Sequence, residues 1–292
     1  MTTTFDFGFG PVPAHQHKSG RGWVADTASV ADSAYVGPSA RVFGEAQVYG
    51  KAQVYGKARV YGEAQVYGEA QVYGKAQVYG EARVFGKAQV YGKAQVYDEA
   101  QVYDEAQVFG EAQVSGEARV YGEARLFGEA WVYGKARVYG EAWVYGEAQV
   151  YGEAWVYGNA QVYGNAQVYD NARVYGNALV SGKARVYGEA RVYGEAWVYG
   201  EAWVYGKAYL HFGNGVTPSI ASGDLWMNSD GTETVRLGCW AGTIGELRAL
   251  ADSGSWPSGG DADYRDRWRP SLLALADLCE AHLATWDNKE GK

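Results

Sequence analysis

Val or Leu stands at every sixth position from Val24 to Leu210, and Ala stands four residues after each from Ala28 to Ala208, with no residue inserted or lost. A six-residue period fits neither the 3.6-residue face of a helix nor a plain alternating strand. Within one unit, Ala46-Gln47-Val48-Tyr49 alternates small, polar, apolar and aromatic, as a short strand does with one face buried. Gly50-Lys51 then interrupts the alternation, as a corner would. A chain that bends every six residues and always returns Ala and Val to the same side is a β-solenoid, with rungs spaced ~4.8 Å apart over a narrow Val/Ala core.

One slot leaves the corner geometry open. Its usual Gly is replaced by Asp26, Asp32, Pro38, Asp98, Asp104 and Asp170. The proline ring locks φ to a narrow negative range, so at residue 38 the slot does not require positive φ. Either the glycine or the residue after it (Glu, Lys, or Asn159 to Asn177) takes the left-handed conformation elsewhere.

The pattern, aliphatic first and small fifth, resembles the hexapeptide repeat of left-handed parallel β-helices. That resemblance implies three hexads per triangular coil, hence a single-stranded prism of about 10–11 coils. The stretch "GRGWVADTASVADSAYVGPSARVFG" also resembles the opening of a group of bacterial and phage-encoded hexapeptide-repeat proteins often labelled as transferases, in which a prism carries a small C-terminal domain. "ETVRLGCWAGTIGELRAL" looks like the start of that domain.

These readings divide the chain into an N-terminal cap segment (1–22), a β-helix (23–212) and a small α+β region (213–292) that caps the last coil or recruits a partner. In that last region, "LWMNSDGTETVRLGCW" predicts a hairpin turning at Asp230-Gly231. Thr243-Ile244-Gly245-Glu246 predicts a capping box opening a helix to about Asp252. Pro270 predicts a second helix with Leu272, Leu275, Ala276, Cys279 and Leu283 on one face, which the last coil near Leu210 is the nearest surface to receive.

The sequence assigns no catalytic residue, cofactor or metal ligand. Left-handed hexapeptide prisms are best known as acyltransferases with a general-base His and a loop over the cleft between coils, and some relatives bind zinc. Here the four His are His15, His17, His211 and His282, none within the repeats. His15 and His17 read as a solvated terminal segment, and His211 as packing at the junction. Cys239 and Cys279 are too sparse for a disulfide scaffold and read as reduced core residues of a cytoplasmic protein. The net charge of −8 gives no basic footprint for nucleic acid, and no apolar run reaches membrane-spanning length.

The outward residues point to contact. Tyr or Phe follows the core residue in all hexads from Val42 to Val204 except at Ser115 and Ser181, which predicts three stacked aromatic ladders. Trp131, Trp143, Trp155, Trp197 and Trp203 precede the core Val, and on a three-hexad coil the first three form a girdle over three faces. Glu99, Glu105, Glu111, Glu117, Glu123 and Glu129 follow one another along the chain without Lys, an acidic belt partly balanced by Arg119 and Arg125. These tryptophans and glutamates are the candidate partner-binding residues. The expected function is a non-enzymatic scaffold or spacer acting through a protein partner or self-association, with an acyltransferase-like enzyme as the alternative.

Overall fold

The computed structural model of the chain describes residues 3–200, 203–204, 211–212, 223–227, 233–237 and 240–253, with 269, 272–273, 275–277 and 279–280 beyond them. From Trp23 to Val204 it is a parallel β-solenoid whose short strands sort into three sheets. Face 1 runs from Trp23–Ala25 to Trp203–Val204, face 2 from Ser29–Val30 to Arg191–Val192, and face 3 from Tyr35–Val36 to Trp197–Val198. Each strand pairs with the third strand after it, Val66 with Val84 and Gln65 with Arg83 for example, so three hexads close one coil.

The core follows from the repeat. Every Val and Ala of the two inward slots between Ala34 and Ala190, and Leu126 among them, has 0% exposure. Close coil-to-coil bonding continues through the corners: Gln47 N–H donates to Ala64 O at 2.8 Å, Tyr49 to Val66 O at 3.0 Å and Lys51 to Gly68 O at 2.7 Å. These backbone donors are thus satisfied by the neighbouring coil without help from side chains.

Two kinds of corner exist. From Gly44 onward the residue directly after the aromatic slot takes φ between +56° and +73°, in the glycines and in Asp98, Asp104 and Asp170 alike. The left-handed residue is therefore the glycine-slot residue, not the Glu, Lys or Asn that follows. Asp26, Asp32 and Pro38 belong to the other kind. There the following Ala closes a shorter turn, Ala28 N–H to Ala25 O, Ala34 to Ala31 O and Ala40 to Gly37 O each at 2.9 Å, against 3.4 Å for Ala58 to Tyr55 O. Proline fits the first three corners and says nothing about the rest.

At the N-terminal end, β1 (Thr4–Asp6) and β2 (Pro11–Gln16) form an antiparallel hairpin. β2 pairs antiparallel with β3 (Trp23–Ala25), His15 opposite Val24, and so extends face 1 beyond its first coil. Phe7 is fully buried against Phe43, and the Arg59 guanidinium donates to Phe7 O at 2.8 Å. Residues 19–22 bond to the first strand of face 3, with Gly22 N–H to Val36 O at 2.8 Å and Val36 N–H to Ser19 O at 3.0 Å.

At the other end, Gly223–Met227 and Glu233–Leu237 form the expected hairpin, its turn lying outside the described residues, with Trp240–Gly242 and His211–Phe212 as flanking antiparallel strands. Gly223–Met227 lies against Trp203–Val204 of the prism. Helix α1 spans Ile244–Ser253 behind a reciprocal capping box: Glu246 N–H donates to Thr243 Oγ1 at 3.1 Å, and Thr243 N–H to Glu246 Oε2 at 2.8 Å. The described residues of 269–280 are helical, and Leu272, Leu275, Ala276 and Cys279 pack with Ile244, Leu247 and Ala251 of α1 and with Val235. That corrects the expectation for the second helix. Among the described residues its apolar face is received by α1 and the hairpin and not by the last coil, because a helix pair on a small sheet closes a core of its own. Leu283 and Asp230-Gly231 lie outside the described residues.

Candidate functional site: the outer columns of the prism

Because three hexads make each coil, side chains at each outward slot stack in columns along the prism. The aromatic slot forms the three ladders. On face 2, Tyr49, Tyr67, Phe85, Tyr103, Tyr121, Tyr139, Tyr157, Tyr175 and Tyr193 stack without a break, centroids 4.8–5.3 Å apart and planes within 12°. Ser115 interrupts the ladder of face 1 and Ser181 that of face 3. Several ladder hydroxyls donate to a Gln one coil on, as Tyr79 does to Gln95 Oε1 at 3.2 Å. Partial burial raises the Tyr79 phenol to about 12.

Trp131, Trp143 and Trp155 stand on faces 1, 3 and 2 respectively, so they do encircle the prism. They are not bare platforms. The Arg125 guanidinium lies 5.4 Å from the Trp143 ring centroid, and Arg137 and Arg173, one coil before and one after, lie 4.9 and 4.8 Å from that of Trp155. Trp131 tilts against Tyr133 at 4.8 Å. Trp197 is the most exposed of them at 58%, and the Trp203 side chain lies outside the described residues.

The acidic belt does not hold together. Its six members fall on three different corner edges, Glu99 with Glu117, Glu105 with Glu123, and Glu111 with Glu129. Lys87 Nζ meets Glu105 at 2.9 Å and Lys93 Nζ meets Glu111 at 2.6 Å, each from the coil before. Residues close in sequence sit on different edges, and residues one full coil apart are the true neighbours.

Columns read at that spacing reveal what the linear reading missed. The edge leading into face 2 carries Glu45, Glu63, Glu81, Glu99 and Glu117 on five successive coils, all exposed. The outward column of face 2 then carries Arg119, Arg137, Trp155, Arg173 and Arg191 on five successive coils further along. Counting every eighteenth residue of the sequence would have found both.

The expectation of a solvated segment holds for His15, which is exposed though it lies in a strand, and fails for His17, which is buried. His15 lies in β2 with Nδ1 2.9 Å from Asp26 Oδ1, and His17 is 4% exposed with Nδ1 3.1 Å from Ser19 O. Their ordering comes from the β2–β3 pairing, which residue-by-residue hydropathy does not announce. His211 is in a strand beside Asp224; its side chain, His282 and Cys239 lie outside the described residues. Cys279 is a free, buried thiol that burial pushes up to about 12. An open cleft of about 540 Å³ near the N-terminal end is lined by Phe5, Trp23, Arg41, Lys57 and Arg59, with Arg41 over the Phe5 ring at 5.2 Å. Among the described residues no group of three or more His, Cys, Asp or Glu could hold a metal ion, and no helix is long and apolar enough to cross a membrane.

The chain is thus a β-solenoid repeat protein whose chemistry-bearing surface consists of stacked columns. The repeat family described as YdcK Beta solenoid repeat matches residues 52–68, 76–92, 148–164, 166–182, 172–188 and 184–200, so parts of the prism are similar to that repeat. Comparison with curated proteins gives no match.

Proposed function

We propose that this protein is a non-enzymatic scaffold or spacer, a rigid rod that works through protein–protein contact along its flat faces. The supporting observation is the uninterrupted three-hexad register from Trp23 to Val204, in which outward residues stack on their equivalents. Such a body is stiff because each coil is bonded to both neighbours, and its length is set by repeat number alone. The outward columns of Tyr, Trp and Arg are the residue types that dominate protein interfaces.

The test is a length series measured by small-angle X-ray scattering. Adding or removing whole coils should change the maximum dimension by ~4.8 Å per coil with an unchanged cross-section. A cross-section that changes with coil number would sink the rod. Titration calorimetry with acetyl-CoA addresses the enzyme alternative, and saturable heat at micromolar ligand would replace the scaffold reading with an acyltransferase-like one.

A further inference from the structure

Face 2 and its leading edge carry opposite net charge on the two halves of the prism: the glutamates outnumber Arg83 in the N-terminal half, and Arg119, Arg137, Arg173, Arg191 and Lys135 outnumber Glu153 and Glu189 in the C-terminal half. In the N-terminal half, Glu45, Glu63, Glu81, Glu99 and Glu117 stack at ~4.8 Å, and none of them makes an ion pair among the described residues. Like charges at that spacing repel, and a facing cation relieves the repulsion. In the C-terminal half, Arg119, Arg137 and Arg173 also make no ion pair among the described residues. Arg137 and Arg173 are held by Trp155 between them at 4.9 and 4.8 Å, which restrains their forks for bidentate contact with carboxylates. Alongside runs the one aromatic ladder of the three without a gap.

We infer that face 2 is a self-association surface on which two copies of this chain pack antiparallel about a two-fold axis at the level of Glu117 and Arg119. The proposal rests on the scaffold reading and names its partner. Rotation about an axis lying in the face, perpendicular to the prism, exchanges the two halves. Each glutamate ladder then faces the Lys135, Glu153, Asn171 and Glu189 edge of the other copy, with the arginine column two residues to the side and within reach of its long side chains, and both contacts are made twice. A parallel pair would set acidic half on acidic half. The area is adequate: the nine strands that overlap, at ~4.8 Å by about five residues at ~3.3 Å, give roughly 700 Å² per copy, close to a standard specific interface.

The experiment is sedimentation velocity of the full chain at low and high salt, with charge-swapped variants checked for fold by circular dichroism. Wild type should be a dimer at 50 mM NaCl and shift toward monomer at 500 mM. The variant Arg119→Glu/Arg137→Glu/Arg173→Glu should associate roughly 100-fold more weakly, because acid then faces acid. Glu63→Lys/Glu81→Lys/Glu99→Lys should do the same. Mixing the two folded variants should restore a dimer, a heterodimer, since the lysine ladder of one then meets the glutamate column of the other. A salt-insensitive dimer unmoved by the swaps would overturn the inference, as would a mixture that stays monomeric. A monomeric wild type whose arginine column instead retains a sulfated polysaccharide such as heparin would also overturn it and give the face to a polyanion. None of these results touches rod stiffness, which the length series tests separately.

Discussion

At Gly74 the chain turns a corner with φ +73°, and a Cβ built there would stand 3.0 Å from the amide nitrogen of Gly92 in the next coil. Two costs therefore meet at one position, left-handed backbone and a close approach between coils. Aspartate shows how a side chain is accommodated in this slot: Asp98, Asp104 and Asp170 accept the N–H of Gly116, Gly122 and Gly188 one coil on, at 3.2, 3.3 and 3.2 Å. Gly74→Ala should accordingly lower stability by about 1–2 kcal/mol, the usual cost of left-handed backbone for an L-residue. Gly74→Asp should lower it less, and thermal melts of the two variants decide the order. The stacked phenols give a second prediction. Desolvation keeps Tyr79 neutral to about 12, whereas an unfolded tyrosine ionises near its ordinary value of 10.0. Between those values the unfolded chain holds fewer protons than the folded one, so the tyrosine contribution to stability is complete below pH 10 and is lost as pH rises through 12. Absorbance at 295 nm during alkaline titration should show desolvated ladder tyrosines such as Tyr61, Tyr79, Tyr103, Tyr121 and Tyr139 ionising late, with a cooperative loss of β signal accompanying them.

The coil is the element of this molecule, and its register was legible because one slot is always Val or Leu and another always Ala. Two inward residues per hexad fix which side is buried, and the absence of insertions fixes that every coil is alike. What the linear reading lost was lateral. Glu99 and Glu105 are close in sequence yet lie on different edges, while Glu99 and Glu117 are true neighbours. The second helix was legible as an amphipathic face, but its counterpart was not, since Ile244 and Leu247 approach Leu272 and Leu275 only through the tertiary fold. Corners were misleading for a physical reason: Pro38 belongs to the three tighter turns nearest the N-terminal cap. The coil also carries a prediction. Deleting one whole interior coil, Gly68–Phe85, should leave a shorter prism with its ladders in register, because each interior coil touches only its neighbours. Deleting only Gly68–Tyr73 would rotate every later strand by one face and place residues 211–292 against the wrong side. Melting temperatures should stay close to wild type for the first deletion and fall clearly for the second. Equal behaviour would mean that three hexads do not make the coil.

At the scale of the whole molecule, the two ends are where prisms would stack if uncovered. A solenoid end offers free N–H and C=O groups above an apolar column, a template for another end. The N-terminal end is covered on two faces, by β2 on face 1 and by residues 19–22 on face 3. On the C-terminal side the core opens slightly, Val192, Ala196 and Val198 reaching 5, 6 and 8% exposure where the interior shows 0%, and Gly223–Met227 lies against the last described coil. The described residues of the helix pair pack in a core of their own, and the strand against the prism is Gly223–Met227, so the sheet that includes it and His211–Phe212 is the candidate cap. Truncation after Tyr209 removes that sheet and should produce end-to-end assemblies that retain the β signal of the prism. Salt separates this from face-to-face pairing. End stacking depends on backbone hydrogen bonds and Val/Ala contact, so it should persist at 500 mM NaCl, where an interface of glutamates and arginines weakens. Light scattering of the truncated chain across that salt range measures it, and a truncated species as monodisperse as the full chain would show that the sheet is not a cap.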